Sequence, residues 1–180
     1  FALAMALFHI YALVLSSTTA WYLYCVHVGA GAVMTFALYR GSKKSPVDHP
    51  SKVDVVLMVL ISIAFAYMCV EMNTLIYRIG VNPTALDLIV AIIVIVCVLE
   101  ITRRTCGIIL PIIALAFLAY AKFGHLLPSS FGHRAYSWEK VLSFQLGTDA
   151  LFSSSVQASA TYVFLFLLFG AYLQESGCGE

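Results

Sequence analysis

The chain has 180 residues, of which 62% are hydrophobic and only 11% are charged, and its formal net charge is +1 at pH 7. A typical soluble domain has about 45–50% apolar and about 25% charged residues, and so few charges cannot cover the apolar surface of a soluble chain of this size. The composition therefore excludes a soluble domain and indicates an integral membrane protein. No basic run, zinc-ligand spacing or RNA-binding motif indicates a nucleic-acid partner.

Six apolar segments predict helices that cross the bilayer. A hydrocarbon core of about 30 Å needs roughly 20 apolar residues of helix. Residues 1–39 carry no formal charge and predict two spans with a turn near 16–20. Four more apolar runs follow, at 55–70, 88–99, 106–121 and 150–173. The runs are continuous, whereas barrel strands alternate, so the sequence favours helices over strands and predicts an all-α membrane protein with about six transmembrane helices.

Two of these helices have marked starts. Ser51 and Thr84 each lie three residues before an aspartate, at Asp54 and Asp87, directly ahead of an apolar run. This spacing predicts a capping box, with the aspartate at the positive end of the helix dipole. The short run 88–99 is thereby extended at its start. Among the carboxylates, we expect Asp87 and Glu71 to mark the water boundary and not to be buried.

A charged cluster separates the fourth and fifth spans. Glu100, Arg103 and Arg104 follow the apolar run that ends at Leu99, and a new run begins at Cys106. Charges at membrane depth cost several kcal/mol, so we expect residues 100–105 to be a turn outside the bilayer. Glu100 is spaced to pair with either arginine, at i+3 or i+4. Pro111 is expected to lie in the first turn of the next helix or to kink it.

The basic residues predict the orientation, because Lys and Arg favour the cytoplasmic side of the membrane. The loop 40–52 has four of them, the turn 100–105 has two and the loop 71–87 has one. The first two segments are therefore predicted inside, and 71–87 outside together with 122–149, although that longer segment holds three basic residues. The expected topology anchors are Arg40, Lys43, Lys44, Arg103 and Arg104.

The segment 122–149 is the only sizeable region predicted outside. A helical stripe there is formed by Trp138, Val141, Leu142 and Leu146, with Ser137 as the expected cap. We expect a short helix at the membrane interface, with Tyr136 and Trp138 at the level of the headgroups.

Two histidines and a polar stretch lie within apolar runs. His9 and His27 are each about eight residues from the turn between the first two spans, so they are expected at similar depth on adjacent helices. They could ligate a haem, or each could bond a neighbouring carbonyl or hydroxyl. The polar stretch of Ser153–Ser155, Gln157, Ser159 and Thr161 favours bonds between helices over a transport path. The five cysteines are interpreted as small apolar residues of helix walls. No nucleophile–base pair, metal-ligand triad or phosphate loop is recognisable, so we predict no catalytic or metal site and no enzyme.

Several motifs carry a resemblance to a known family. The patterns PT-x-LD (83–87), LE-x-TRR (99–104), G-x-x-LP (107–111) and FLF-x-LFGA-x-L-x-x-SG (164–177) occur in this order. In this combination the chain resembles the fused permeases of tripartite ATP-independent periplasmic (TRAP) transporters, of the type that works with TAXI-class binding proteins.

The resemblance implies the scaffold part of a sodium-driven secondary transporter of the bacterial inner membrane. Such a permease imports organic acids, for example dicarboxylates or amino-acid-like anions. Residues 1–121 would correspond to the small-subunit helices with a connecting helix, and 122–180 to a periplasmic segment and the first helix of the large subunit. The chain begins with Phe1 and stops just past an apolar run, so we expect a longer polypeptide, with the substrate and sodium sites beyond residue 180.

The implied partners are a periplasmic substrate-binding protein, the lipid bilayer and the rest of the permease. A binding protein would dock on the outside segment, where the candidates are His125, His133, Arg134, Tyr136 and Trp138. The aromatic residues could instead only anchor the interfacial helix, with Arg134 at lipid headgroups. Two other functions stay open: a membrane anchor or assembly subunit of another complex, and a small haem-bearing electron-transfer protein.

Overall fold

The computed structural model describes residues 2–16, 19–41, 49–128 and 132–177, and this part of the chain is helical without any strand. The helices are α1 (Ala2–Ile10), continued by a π-helical segment (Tyr11–Leu15), α2 (Ala20–Leu38), α3 (Lys52–Val70), α4 (Met72–Arg78), α5 (Ala85–Cys106), α6 (Ile109–Phe123), continued by a 3-10 turn (Gly124–Leu126), α7 (Trp138–Phe144), α8 (Ser154–Ala158) and α9 (Phe164–Glu175). A second π-helical segment (Ser159–Val163) joins α8 to α9 in one continuous helix.

Five helices are long and apolar enough to cross a membrane, where the sequence predicted six. They are α2, α3, α5, α6 with its 3-10 turn, and the helix from Ser154 to Glu175. The described part of the first helix, Ala2–Leu15, is shorter. Its 14 residues cover only about 21 Å at roughly 1.5 Å per residue, less than the core of about 30 Å. The all-α prediction is confirmed, and the first predicted span is the exception.

Helices α3 and α5 begin where the sequence predicted. Both predicted capping boxes are present, with Ser51 and Asp54 at the start of α3 and Thr84 and Asp87 at the start of α5. Gly107 follows α5 with φ of +85°, a conformation that a side chain would disfavour. Pro111 is the third residue of α6 and lies in its first turn, where a missing N–H leaves no bond unmade.

The prediction of a turn over 100–105 is wrong, because α5 continues through Cys106. Glu100 bonds Arg103 at i+3 and Arg104 at i+4, and both pairs support a helix. The arginines also lie in the last turn, where cations favour the negative end of the helix dipole. The chain reverses only at the short link 107–108 between α5 and α6.

The core is formed by α2, α3 and α5, which all pack against one another. Its largest fully buried apolar side chains include Phe36, Ile61, Met68 and Val94. Gly29 of α2 lies so close to α3 that a Cβ there would be 3.0 Å from Phe65 Cγ, and such small residues allow helix backbones to approach.

The remaining helices surround this core. Helices α1 and α8 pack on α2, and α6 and α7 pack on α5. The apolar side chains of α6 and α9 are mostly exposed. The helix containing α8 and α9 runs in the same direction as α2, since Phe152 contacts Trp21 and Ser159 bonds His27.

The loops meet at two opposite ends of the bundle. At one end, Arg103 bonds Gly41 O, which brings the end of α5 to the segment after α2. At the other, Gly80 N donates to Ser143 Oγ of α7 at 3.1 Å. The described residues 40–41 and 49–52 therefore lie at the same end as 100–105, and 71–87 lies at the same end as α7, in agreement with the predicted alternation. The membrane side on which each end lies stays a prediction.

Candidate functional site

The first polar cluster joins three helices at the end that carries the basic loop. Arg104 forms an ion pair with Asp54 of α3 at 2.7 Å and a second with Glu100 at 2.8 Å. It also donates to Tyr39 O at 2.8 Å, and its guanidinium lies over the Phe36 ring, 4.9 Å from the centroid. The end of α5 is thus tied to the end of α2 and to the start of α3.

Burial distinguishes the two neighbouring arginines. The Arg104 side chain is 2% exposed and that of Asp54 is 4% exposed, whereas Arg103 is 38% exposed. A buried charge that loses its partner is strongly destabilising. Both arginines were predicted as equivalent topology anchors, but only Arg104 has a buried partner on another helix. Arg40 is exposed, and Lys43 and Lys44 lie outside the described residues.

Asp54 was missed as a partner by sequence reasoning, which assigned it only a capping role. Its Oδ2 accepts a hydrogen bond from Ser51 N at 2.9 Å, as expected of a capping box. Its Oδ1 forms the ion pair with Arg104. A carboxylate has about four acceptor sites, so a cap leaves room for another donor. The sequence contains no periodic signal that pairs α3 with the end of α5.

A second cluster lies at the opposite end, around Asp87. Its carboxylate accepts from Tyr67 Oη at 2.8 Å, from Arg78 Nε at 3.1 Å and from Thr84 N at 2.8 Å. Asp87 is 1% exposed, so the expectation that it is not buried is wrong: four donated hydrogen bonds replace the water that a carboxylate needs.

Glu71 lies at the rim of this cluster and is half-buried. The Thr74 hydroxyl at 2.6 Å, and then Arg78 at 3.3 Å, hold the pKa of Glu71 below its ordinary value. Arg78 therefore bridges Glu71 and Asp87. Every charged group of this cluster has a partner, so its arrangement suits holding α3, α4 and α5 together.

The predicted docking segment is attached to the end of α6. Lys122 Nζ donates to Tyr136 O at 2.9 Å, and the His133 ring bonds Tyr120 O at 3.0 Å and stacks on Tyr136. A Cβ on Gly124 would collide with His133. The segment from Gly132 onwards is thereby positioned against α6.

The short helix α7 has the predicted cap, and most residues of its predicted apolar stripe are at least partly buried. Ser137 Oγ accepts from Lys140 N at 3.2 Å at the start of α7. Val141 and Leu146 are buried. Trp138, however, is exposed and contacts Phe123 and Lys122 at the end of α6. Arg134, Tyr136 and His125 are also exposed. A docking role for these residues stays a prediction.

His9 and His27, which were predicted at similar depth on adjacent helices, are in direct contact. His9 Nε2 and His27 Nδ1 are 3.0 Å apart and share a hydrogen bond. His9 Nδ1 is 2.8 Å from Met5 O, and His27 Nε2 is 3.1 Å from Ser159 Oγ. Phe164 stacks on the His9 ring at 4.0 Å between centroids. The result is a polar chain across α1, α2 and the helix of α8 and α9.

This geometry bears on the two interpretations of the histidines. All four ring nitrogens have a hydrogen-bond partner, so the pair presents none to a haem iron. Sequence reasoning placed the histidines together but missed Ser159 as their third member. The polar stretch contained the signal, and Ser159 does bond between helices as expected. Thr161 instead bonds Gln157 O within its own helix at 2.7 Å.

The cysteines and possible metal ligands add no site in the described part of the chain. Cys25 and Cys97 are buried, Cys69 is half-buried and Cys106 is exposed, all as free thiols, and Cys178 lies outside the described residues. Among the residues the structure describes, no three His, Cys, Asp or Glu side chains are grouped as a metal site.

Comparisons with protein-family models, with curated proteins and with solved structures found no match for this chain. The fold and its polar clusters define an all-helical chain with several helices suited to a membrane. The resemblance to TRAP permeases depends on the sequence motifs alone.

Proposed function

We propose that this chain forms scaffold helices of a TRAP-type secondary transporter permease. The permease imports organic acids, either dicarboxylates or amino-acid-like anions, delivered by a periplasmic binding protein, and it is driven by sodium. It lies in the bacterial inner membrane as a multi-pass protein. Residues 1–121 belong to the small-subunit-like part and 122–180 begin the large-subunit-like part, with the substrate site beyond residue 180.

The observation that carries the proposal is that α3 and α5 are tied together at both ends. Arg104 of α5 pairs with Asp54 of α3 at one end, and Tyr67 of α3 donates to Asp87 of α5 at the other. Helices held in this way move as one rigid body. A fixed scaffold needs that property, which supports a scaffold role for these helices.

The residues of the family-like motifs supply this rigidity. In LE-x-TRR, Glu100 and both arginines make the first cluster, and in PT-x-LD, Thr84 and Asp87 cap α5 and anchor the second. The charged side chains of these two motifs and the Thr84 hydroxyl are thus engaged in structure. This supports a scaffold role for the motifs and assigns them no substrate.

A membrane anchor or assembly subunit of another complex is the second candidate. The observation in its favour is the exposure of apolar side chains along α6 and α9, among them Phe117, Phe166 and Phe169. These faces suit lipid or other membrane helices equally well, and an anchor needs no more. Uptake measurements separate the two functions.

The test uses the complete permease in proteoliposomes with its binding protein present and an inward sodium gradient. Labelled succinate and labelled glutamate serve as the probes of the two substrate classes. We expect accumulation of one probe that requires both the binding protein and the gradient. Binding of both probes by the binding protein without any uptake would overturn the transporter and favour an anchor. Uptake that persists without sodium would overturn the sodium coupling alone.

A further inference from the structure

The chain of hydrogen bonds through His9 and His27 has only one possible direction when both rings are neutral. Met5 O is a carbonyl and can only accept, so His9 Nδ1 must carry the hydrogen. His9 Nε2 is then an acceptor, and His27 Nδ1 donates to it. His27 Nε2 in turn accepts from Ser159 Oγ. In the neutral state both rings therefore carry the hydrogen on Nδ1, which is the less common tautomer of free histidine.

One additional proton fits this chain without breaking a contact. When a proton from water binds His27 Nε2, the Ser159 hydroxyl turns and accepts where it had donated. The imidazolium of His27 then donates to His9 Nε2 and to Ser159 Oγ. A second proton does not fit, because His9 Nε2 and His27 Nδ1 would both carry hydrogens across 3.0 Å. The two rings titrate as a pair with one proton.

The described helix segments that hold the two rings and Ser159 supply no compensating charge. No Asp, Glu, Lys or Arg occurs in Ala2–Leu15, Ala20–Leu38 or Ser154–Ala158, nor in the following π-helical segment. The other titratable groups on these elements are tyrosines and one thiol: Tyr11, Tyr22, Tyr24, Cys25 and Tyr162. On the neighbouring helices α3 and α5, the charged groups of the two clusters bond one another or backbone groups at the bundle ends.

Irregular helix follows closely after His9 and begins at Ser159. The π-helical segment Tyr11–Leu15 begins two residues after His9, and the segment Ser159–Val163 begins at Ser159 itself. Single π-helical turns within α-helices occur frequently at functional sites. Buried ionisable groups within apolar helices likewise indicate function.

We propose that His9, His27 and Ser159 form a buried site that binds a single proton where α1, α2 and the helix of α8 and α9 meet. His27 takes the proton at Nε2, on the half-buried side of the site, and His9 shares it through the bond from His27 Nδ1. The site is independent of the proposed transport function. The chain of hydrogen bonds ends at the Met5 carbonyl, which cannot pass a proton on. A bound proton therefore leaves from His27 Nε2, where it entered.

The experiment is nitrogen-15 NMR of the complete protein in lipid nanodiscs with labelled histidine. At neutral pH we expect His9 and His27 on Nδ1 only, with a coupling across the N–H···N bond. On acidification the two should take up one proton together. A hydrogen on Nε2 of either neutral ring, two independent protonations, or no uptake while the protein stays folded would each overturn the proposal.

A matched pair of serine variants makes the test specific. Ser159→Ala removes the acceptor of the charged ring, so proton uptake should need about tenfold higher proton concentration, the factor for a lost bond to a charged group. Ser155→Ala, one turn earlier on the same helix and exposed, should titrate as the wild type. Both variants keep His9 and His27 and are mild enough to fold. Identical titration curves for the two would also overturn the site.

Discussion

Arg104 Nη1 lies 2.7 Å from Asp54 Oδ1, and the two side chains are almost wholly buried between the end of α5 and the start of α3. A second pair, Arg78 of α4 and Asp87 at the start of α5, lies at the opposite end of the bundle. In both pairs the aspartate also caps its helix. Each capping carboxylate is therefore both the start of one helix and the attachment point of another part of the chain.

The two neighbouring arginines should differ sharply on substitution. Arg104→Gln leaves Asp54 buried without its cation, and we expect a loss of about 3 kcal/mol in the free energy of unfolding. Arg103→Gln removes a partly exposed pair and should cost less than about 1 kcal/mol. Thermal unfolding of the purified variants in detergent measures the difference. Equal effects of the two substitutions would favour a purely topological role for both charges.

Two glycines of α2 provide a test of helix packing. Gly29→Ala places a Cβ 3.0 Å from Phe65 Cγ, so α2 and α3 must separate, and overpacking of this kind typically costs about 1–3 kcal/mol. Gly31→Ala meets nothing within 4 Å and should raise stability by up to about 1 kcal/mol, because alanine favours helix over glycine. Unfolding temperatures of the two variants check the pair. Equal destabilisation would contradict the close approach of α2 and α3.

The orientation can be tested with single cysteines in a cysteine-free background. His49 and Ala135 are exposed and belong to the two opposite ends of the bundle. If the basic loop is cytoplasmic, an impermeant thiol reagent applied to intact cells should label position 135 only. Permeabilised cells should label both positions, which controls for reactivity. Labelling of position 49 in intact cells would reverse the orientation.

The docking prediction concerns Arg134 in the segment beside α6. If Arg134 contacts the binding protein, Arg134→Glu should lower uptake at low binding-protein concentration, and a higher concentration should restore the rate, since charge reversal at a contact weakens association. Arg40→Glu, exposed at the opposite end of the bundle, is the matched control. Rates are compared per inserted protein. An unchanged dependence on binding-protein concentration in Arg134→Glu would remove the docking role.

Local signals predicted much of the secondary structure. Ser51 and Thr84 marked the starts of α3 and α5, and Ser137 marked α7, because a cap involves residues only a few positions apart. The error at 100–105 arose because three charges in six residues were interpreted by hydropathy alone. Their i+3 and i+4 spacing favoured helix, and pairing with Asp54 and backbone carbonyls gave the charges partners at the helix end.

The sequence by itself determined the apolar helices suited to a membrane, the helical fold, the capped helix starts and the similar depth of His9 and His27, because these follow from composition and from short spacings. Only the tertiary structure decided which side chains meet: Arg104 with Asp54, Arg78 with Asp87, and the histidines with Ser159. The physical reason is that a buried polar group must find a partner wherever packing brings one, and packing joins residues that are remote along the chain.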